Sequence, residues 1–459
     1  MIKGKSKIEL TNVKNGEVKI YENENTITDL FDILPSAMNF YTALSKFEYP
    51  IWKNVFGGIL IFPNQIEENK STIIPAGDNQ PFACAGNDTN TGTRTDKGSF
   101  NETESMVQSD GSIKMVWDFT TSQANGNINA LALTTGKGGR CGYGSGENVT
   151  TTYKTTILSE QIKSFYGVKT TATDRPLLID YDSNKMFVWN YTSGKKTTLE
   201  IKEYDVALNK LKLNTTGLIS TSYKTNVIQL NTTLQALNVY YMNTTANGKA
   251  YFYFASNVTV ENNTKFYLLE IDIFNNYSSK VYELNNNTGE KLQLGIASSG
   301  FYTYSRVHKN YLYCQSNSTY NMYKICLTDS TDVTKVLEST SSYYEFMYVI
   351  GDFMYMVKNS EPLVIYNFAD DTLKYMNDCS GMTFNNLSQV VTTSWAVPII
   401  INKKESPFFW DINSNSSSTT YEVQFLTNLL FTINNLASPI IKTADNTMKI
   451  TYTLTEVNN

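Results

Sequence analysis

Residues 117–134 read WDFTTSQANGNINALALT, and this stretch contains the pattern that most strongly decides the fold. Two apolar segments, Met115 to Phe119 and Ile128 to Leu133, flank a polar connection that ends in Asn125-Gly126. In the second segment successive side chains alternate between two faces, as they do along a β-strand. Because Asn-Gly readily supplies the positive φ angles of a tight turn, the pattern predicts strand, turn and strand, and the residues alone favour an ordinary β-hairpin.

Two further stretches, one near each end of the chain, have a similar β character. Ile8 to Glu17 (IELTNVKNGE) predicts a hairpin around Asn15-Gly16. Ser438 to Thr455 (SPIIKTADNTMKITYTLT) ends in a segment in which every second residue from Met448 to Leu454 is apolar. That alternation predicts a half-buried strand, which needs a covering partner.

These three stretches resemble blocks of tail and baseplate proteins from phages that infect Gram-positive bacteria. Residues 117–134 are similar to a recurring block of those proteins, Ile8 to Glu17 to their opening hairpin, and Ser438 to Thr455 to their closing strand. The resemblance covers roughly the first third of the chain and the last thirty or so residues. The shared blocks are structural rather than catalytic, so the resemblance implies a receptor-binding or fibre-type virion part and leaves its ligand open.

The composition predicts a mainly β protein of two or three domains. The chain has 459 residues, of which 41% are hydrophobic and 18% charged, and it contains 31 Tyr and 23 Phe. Aromatic and β-branched residues suit pleated, half-buried surfaces. A helix is expected only after Thr28-Asp29, where side-chain oxygens can accept bonds from free backbone N–H groups.

The charge pattern argues against a nucleic-acid partner, and the short apolar segments argue against membrane insertion. The net charge is -5 and no basic run is present, whereas binding to phosphates requires clustered Lys and Arg. The start of the chain lacks a signal-peptide core, and the most apolar segment, Val55 to Pro63, is too short to span a bilayer. We therefore expect a protein that is made in the host cytoplasm, and the phage-tail resemblance implies that it is carried on the virion tail.

A loose internal repeat runs from about residue 175 to residue 411. Each unit pairs a Tyr/Phe-rich or apolar strand with a second strand that ends near Asp, and successive units start roughly 64, 60, 42 and 44 residues apart. A four-stranded propeller blade takes about 40–50 residues, so the spacing favours an inserted β-propeller over a β-sandwich or a β-solenoid. The first strands of the five units are Met186–Trp189, Tyr251–Phe254, Tyr311–Cys314, Phe353–Met356 and Val397–Ile400.

No catalytic, metal or cofactor motif is present. The only histidine, His308, is interpreted as a solvated turn residue, and the glycine-rich residues 136–146 lack the Lys-Ser/Thr pair of a phosphate-binding loop. The five cysteines form no CxxC pair and are expected to be free thiols, although Cys314 and Cys326 could face one another across neighbouring strands. Asp272, Asp370, Asp371 and Asp411 are weak candidates for paired glycosidase carboxylates, because Asp is common at strand ends simply as a turn residue.

The sequence thus predicts three segments. Residues 1–150 form a virion-attachment domain, residues 151–425 a β-propeller-like repeat domain, and residues 426–459 a segment that returns to the first domain. The expected partners are other tail or baseplate proteins, a host cell-surface glycan and further copies of the chain, a trimer being one arrangement. Aromatic rings beside turns are the candidate glycan contacts, namely Tyr191, Tyr277, Tyr320, Tyr343 and Tyr344. A glycosidase acting on host wall polymer and a purely structural subunit are the alternatives.

Overall fold

A computed structural model describes most of the chain. The described residues are 2–33, 56–73, 79, 81–134, 154–162, 174–180, 182–190, 194–206, 219–294, 304–338, 345–357, 364–375, 394–401, 403–414, 419–426 and 430–456. Within them the protein is mainly β, which confirms the predicted class. A 3-10 helix at Asp29–Ile33 begins at the predicted helix start, and the rest of that predicted helix lies outside the described residues.

In the described part of the chain, strand follows strand, with one α-helix, α1 (Thr232–Gln235). The N-terminal strands are β1 (Ile2–Asn12), β2 (Val18–Ile27), β3 (Gly58–Phe62), β4 (Ala83–Ala85), β5 (Ser99–Phe100), β6 (Met106–Val107), β7 (Ile113–Phe119) and β8 (Gly126–Thr134). The central strands are β9 (Lys154–Ile162), β10 (Asp174–Asp180), β11 (Lys185–Asn190), β12 (Thr198–Val206), β13 (Ile219–Gln229), β14 (Asn238–Thr244), β15 (Lys249–Ala255), β16 (Thr259–Val260), β17 (Lys265–Asp272), β18 (Ser278–Asn285), β19 (Leu292–Gln293), β20 (Ser305–His308), β21 (Tyr311–Ser316), β22 (Met322–Cys326), β23 (Val333–Leu337), β24 (Glu345–Ile350), β25 (Phe353–Val357), β26 (Val364–Asn367), β27 (Thr372–Tyr375), β28 (Ser394–Ile401), β29 (Lys404–Ser414) and β30 (Thr419–Leu426). The last two strands are β31 (Thr432–Lys442) and β32 (Asn446–Glu456).

The chain divides into two compact units. Unit 1 comprises Met1–Leu158, Tyr375–Met382 and Gln424–Asn459, and unit 2 comprises Ser159–Lys374 and Thr383–Val423. Both ends of the chain therefore belong to unit 1.

Unit 1 contains a ten-stranded sheet in the order β4-β3-β8-β31-β2-β1-β32-β7-β5, with β6 paired to β7. The C-terminal strand β32 lies between β1 and β7, so that Ile450 is opposite Ile8 on one side and Trp117 on the other. All three of these side chains are buried. The prediction that the C-terminal strand completes the N-terminal domain is confirmed, and the pairing is within one chain.

The interpretation of residues 115–133 as an ordinary hairpin is wrong. Both predicted strands exist as β7 and β8, but β7 pairs with β32 while β8 pairs with β3 and β31. Most side chains of both strands are buried, so each needs cover on both of its faces. A two-stranded hairpin could not supply that cover.

Unit 2 is built from groups of strands, four strands in each group except one that has six in the described residues, and β9 and β30 lie only partly in this unit. The first group (β10–β13) and the last (β28–β30 with β9) form one eight-stranded sheet through a parallel pairing of β10 with β28. The other groups are β14-β15-β17-β18, a sheet built on β20–β23 with β16 and β19, and β24–β27. In the first four groups the predicted repeat strands are the two central strands, whereas in the last they are the first and second strands, β28 and β29.

Consecutive sheets of unit 2 pack face to face. Strand β15 shows this most clearly, because Phe252 and Phe254 contribute to the core shared with β10–β13, whereas Tyr251 and Tyr253 contribute to the core shared with β20–β23. The inner strands β14 and β20 are also joined, since Asn243 exchanges two hydrogen bonds with the backbone of Val307, at 2.8 and 3.1 Å. This sheet order is the one expected of propeller blades, and the closed propeller stays a prediction.

Candidate functional site

Of the five tyrosines predicted as glycan contacts, two lie in the described residues. Tyr191, Tyr343 and Tyr344 fall outside them. Tyr277 and Tyr320 both have positive φ angles, 56° and 60°, and both stand at or beside turns, as the sequence predicts. The two have different surroundings.

Tyr277 is engaged in a contact between neighbouring sheets. Its ring is partly buried and packs against the core between β10–β13 and β14–β18. Its hydroxyl donates to Glu203 Oε2 at 3.1 Å. Burial and the adjacent Glu203 carboxylate raise the pKa of the Tyr277 hydroxyl, which therefore stays protonated as the donor. This contact gives Tyr277 a structural role within unit 2.

Tyr320 belongs to a turn that the fold holds in place from several sides. The turn, residues 317–321, connects β21 to β22 and is named here the Tyr320 turn. It closes through the bond from Ser316 N–H to Asn321 C=O, at 2.8 Å, and the Ser316 hydroxyl accepts from the backbone N–H groups of residues 318 and 319. A further bond, from Asn317 N–H to Lys291 C=O at 2.7 Å, ties the turn to the connection that follows β18.

Glu290 is the central support of the Tyr320 turn. Its Oε1 accepts from Tyr323 OH at 2.7 Å and from Asn321 Nδ2 at 3.1 Å, and its Oε2 accepts from the Thr319 hydroxyl. Burial alone would raise the pKa of Glu290, but the Ser316 hydroxyl together with these hydrogen bonds outweighs burial and holds the pKa below its ordinary value. The carboxylate is therefore ionised at neutral pH and acts as a fixed acceptor for the turn.

The loop that contains Glu290 is itself anchored. Asn286 is completely buried, and its Nδ2 donates to the carbonyls of Val260 and Glu290 at 2.9 and 2.8 Å. A chain of hydrogen bonds thus runs from the core through Asn286 and Glu290 to the Tyr320 turn. Ser318 and Thr319 at the tip are exposed, and the Tyr320 ring is half-buried. The result is a pre-ordered surface turn that carries two hydroxyl side chains and a tyrosine ring at consecutive positions.

Two further carboxylates of unit 2, those of Glu270 and Asp371, have structural partners. Glu270 is buried and accepts from Lys249 Nζ at 2.7 Å and from the hydroxyls of Tyr251 and Tyr282, both at 3.0 Å. Asp371 pairs with Lys324 and Tyr366. Of the weak glycosidase candidates, Asp272 and Asp370 accept hydrogen bonds within their own turns, and the side chain of Asp411 lies outside the described part of the chain.

The interpretation of His308 as a solvated turn residue is wrong. His308 is the last residue of β20 and stacks on Phe368, with ring centroids 3.9 Å apart. Burial, together with the nearby Lys309 and Arg306, lowers the pKa of His308 to about 4. The imidazole therefore behaves as a flat packing surface between two sheets at neutral pH.

The cysteines in the described residues, Cys84, Cys314 and Cys326, are buried free thiols. Cys314 is opposite Tyr323 and Cys326 is opposite Tyr311, so the two cysteines do not face one another as the sequence suggested they could. Across the described ranges, no three His, Cys, Asp or Glu side chains are grouped so as to hold a metal ion. No helix in those ranges is long and apolar enough to cross a membrane.

In unit 1 a buried lysine joins two of the stretches that carry the phage-tail resemblance. Lys442, at the end of β31, is 1% exposed, and its Nζ donates to Thr120 C=O and Asn125 Oδ1, both at 2.9 Å. Both acceptors lie in the connection between β7 and β8. Burial lowers the pKa of Lys442 to about 8. This contact fixes the connection that carries the chain from one part of the sheet to another.

Sequence reasoning identified Tyr320 but missed Glu290, Asn286 and Lys442. Glu290 and Asn286 lie in the run NNNTGEK, which has the composition of any polar turn. Lys442 is a charged residue in a strand, and its burial depends on the distant β7–β8 connection. Only the partners that the fold brings to these three residues distinguish them from ordinary polar residues.

No family model and no curated protein matches the chain. Among solved structures, the chain is similar to a mutant of the apocarotenoid oxygenase of Synechocystis, with 8% identity, a TM-score of 0.25 and coverage of 58% of this chain and 62% of the oxygenase. It is also similar to the tricorn protease, with 11% identity, a TM-score of 0.21 and coverage of 60% of this chain and 26% of the protease. A third similar structure is a puromycin hydrolase mutant, with 7% identity, a TM-score of 0.25 and coverage of 72% of this chain and 53% of the hydrolase. The chain thus spans less than two thirds of the length of each of these three proteins. Likenesses at these scores carry no argument about fold or function.

Proposed function

We propose that this protein is a component of the tail or baseplate of a phage, or of a phage-tail-like particle, of Gram-positive bacteria. Unit 1 attaches to the particle, and unit 2, as a β-propeller, recognises a glycan on the host cell surface. The observation that carries the proposal is the assembly of the three resembling stretches. The hairpin β1–β2 and the strands β7, β8, β31 and β32 belong to one sheet, and Lys442 bonds one stretch to another.

The Tyr320 turn is the proposed glycan contact of unit 2. Sugar rings present patches of C–H that pack on aromatic faces, while their hydroxyls need short polar partners. The turn offers a tyrosine ring beside Ser318 and Thr319, and Glu290 fixes its geometry before any ligand arrives. A pre-ordered turn loses less conformational freedom on binding than a loose one, which favours affinity.

Binding of purified protein to cell walls of the producing or target bacterium tests this proposal. Tyr320→Ala should weaken binding about tenfold, or about 1.4 kcal/mol, because the ring supplies the apolar part of the contact. Glu290→Gln should also weaken binding, since it removes the ionised acceptor that orders the turn and leaves Tyr320 intact. The matched control is Tyr223→Ala, which removes an exposed tyrosine ring elsewhere in unit 2, on β13.

The same incubation separates the alternatives. Bound protein without released sugar supports recognition, and released oligosaccharide supports a wall-degrading enzyme. The absence of both binding and release supports a purely structural subunit. Equal binding by wild-type, Tyr320→Ala and Tyr223→Ala proteins would show that the Tyr320 turn does not contact the glycan.

A further inference from the structure

Among the residues that the structure describes, nothing pairs with one edge of strand β2 along most of its length. Strand β1 covers the opposite edge from Val18 to Asn25, whereas β31 pairs with β2 only at Thr26 and Ile27. In the part of the chain that the structure describes, no other strand pairs with β2. An open strand edge presents unpaired N–H and C=O groups that can template pairing with another chain.

The hydrogen-bond phase of the hairpin shows which residues face the open edge. The bond from Asn12 N–H to Glu17 C=O, at 2.8 Å, makes the odd-numbered residues of β2 the ones that bond to β1. Val18, Ile20 and Glu22 therefore direct their backbone groups outward. Their side chains share the solvent face of the sheet, where Val18 is 49% and Ile20 54% exposed.

We propose that this edge binds β2 of a second copy of the chain, antiparallel, about a two-fold axis at Ile20. Ile20 is then opposite the same residue of the second copy, and Val18 is opposite the copy's Glu22. Each of these opposed pairs exchanges two backbone hydrogen bonds. The four exposed aliphatic side chains of the two copies meet on one face.

The charges of β2 select this register among the alternatives. Centring the pair on Lys19 or on Glu22 would place like charges directly opposite one another, which is destabilising. Centring it on Tyr21 avoids like charges but sets Ile20 against Glu22. With Ile20 at the centre, Lys19 is opposite Tyr21, the two Ile20 side chains meet, and only Val18 is set against Glu22. The Tyr21-centred register also sets Val18 against Glu24, so the Ile20-centred register pairs fewer apolar side chains with charges.

The pairing involves one short strand from each copy, so the interface is small and the dimer is concentration-dependent. The inference does not depend on the particle to which the protein belongs. It assigns the self-association expected from the sequence to a two-fold contact of unit 1.

Sedimentation equilibrium of the full chain over a wide concentration range tests the proposal. The wild-type protein should form a dimer, and Ile20→Lys and Ile20→Glu should each weaken it at least tenfold, because like charges then meet at the axis. An equimolar mixture of the two variants should restore a heterodimer at least as tight as the wild-type dimer. Val227→Lys is the matched control, since Val227 is 52% exposed on another strand, in unit 2, and this change should leave the dimer unaltered.

Thermal midpoints equal to that of the wild type establish that each variant is folded, as expected for a half-exposed edge position. A wild-type monomer at the highest concentration would overturn the proposal and leave the edge to a different protein. An oligomer that is unchanged by the Ile20 variants would also overturn it. Tighter association of Ile20→Lys than of the wild type would place residue 20 opposite Glu22 and overturn the Ile20-centred register.

Discussion

Replacing Ile450 by Ala tests whether β32 is an integral strand of unit 1. Ile450 lies in the middle of β32, is 0% exposed, and is opposite Ile8 and Trp117 on its two sides. Truncating a buried Ile to Ala costs about 2–5 kcal/mol, depending on how far the surroundings collapse into the cavity. Both neighbours are held by strand pairing and are themselves buried, so we expect about 4 kcal/mol. For a domain of about 200 residues this corresponds to a fall of about 8–16 °C in Tm.

Hydrogen exchange of the full chain, read peptide by peptide, locates the loss. Exchange should accelerate in peptides of β1, β7 and β32 and stay unchanged in those of β14–β18. The matched control is Thr451→Ala, one residue further along, whose half-buried side chain points to the other face and whose loss should cost less than about 1 kcal/mol. Equal effects of the two substitutions, or faster exchange in β14–β18, would refute this assignment of β32.

Three further predictions follow from buried polar groups. The pKa of Lys442 is about 8 in the folded protein, below its ordinary value, so folded and unfolded chains are both protonated below pH 8. Between about pH 8 and 10.5 the folded protein loses the proton first, and the free energy of unfolding should rise by up to about 3 kcal/mol, a rise that is absent from urea titrations of Lys442→Met. His308 has a pKa of about 4, so ¹⁵N-histidine NMR should show one imidazole that does not titrate between pH 7.5 and 5.5. A titration midpoint near pH 6.5 would contradict the burial of His308 against Phe368. Asn243→Ala leaves the N–H and C=O of Val307 without their Asn243 partners, so it should lower the free energy of unfolding in urea by about 2–4 kcal/mol. The control is Asn238→Ala, which should lower it by less than about 1 kcal/mol, because the exposed Asn238 amide donates only to Ser256 C=O.

The strands of unit 2 that the sequence predicted best are those buried on both faces. Tyr251 to Phe254 and Tyr311 to Cys314 are continuous apolar runs because a neighbouring sheet covers each of their faces. The outer strands, such as Ser278–Asn285, are largely exposed and carry no comparable pattern. A search for aromatic strands therefore finds the centre of each sheet and misses its edges.

Pairing between strands was much harder to predict than the strands themselves. The sequence marks β7, β8 and the turn residues Asn125-Gly126 correctly, yet the partners of both strands are remote in the chain. The deciding contact, Lys442 on the β7–β8 connection, joins residues more than 300 positions apart. The same limit applies to Glu290, whose donors come from a turn about thirty residues further along the chain.

The position of this protein on a particle tests the proposed function most directly. Antibodies against unit 2 can be applied to particles induced from cells that produce the chain, and the label located by electron microscopy. The proposed function predicts label at the distal end of a tail, with unit 2 accessible on the intact particle. Particles without label, together with the protein recovered only outside them, would contradict it.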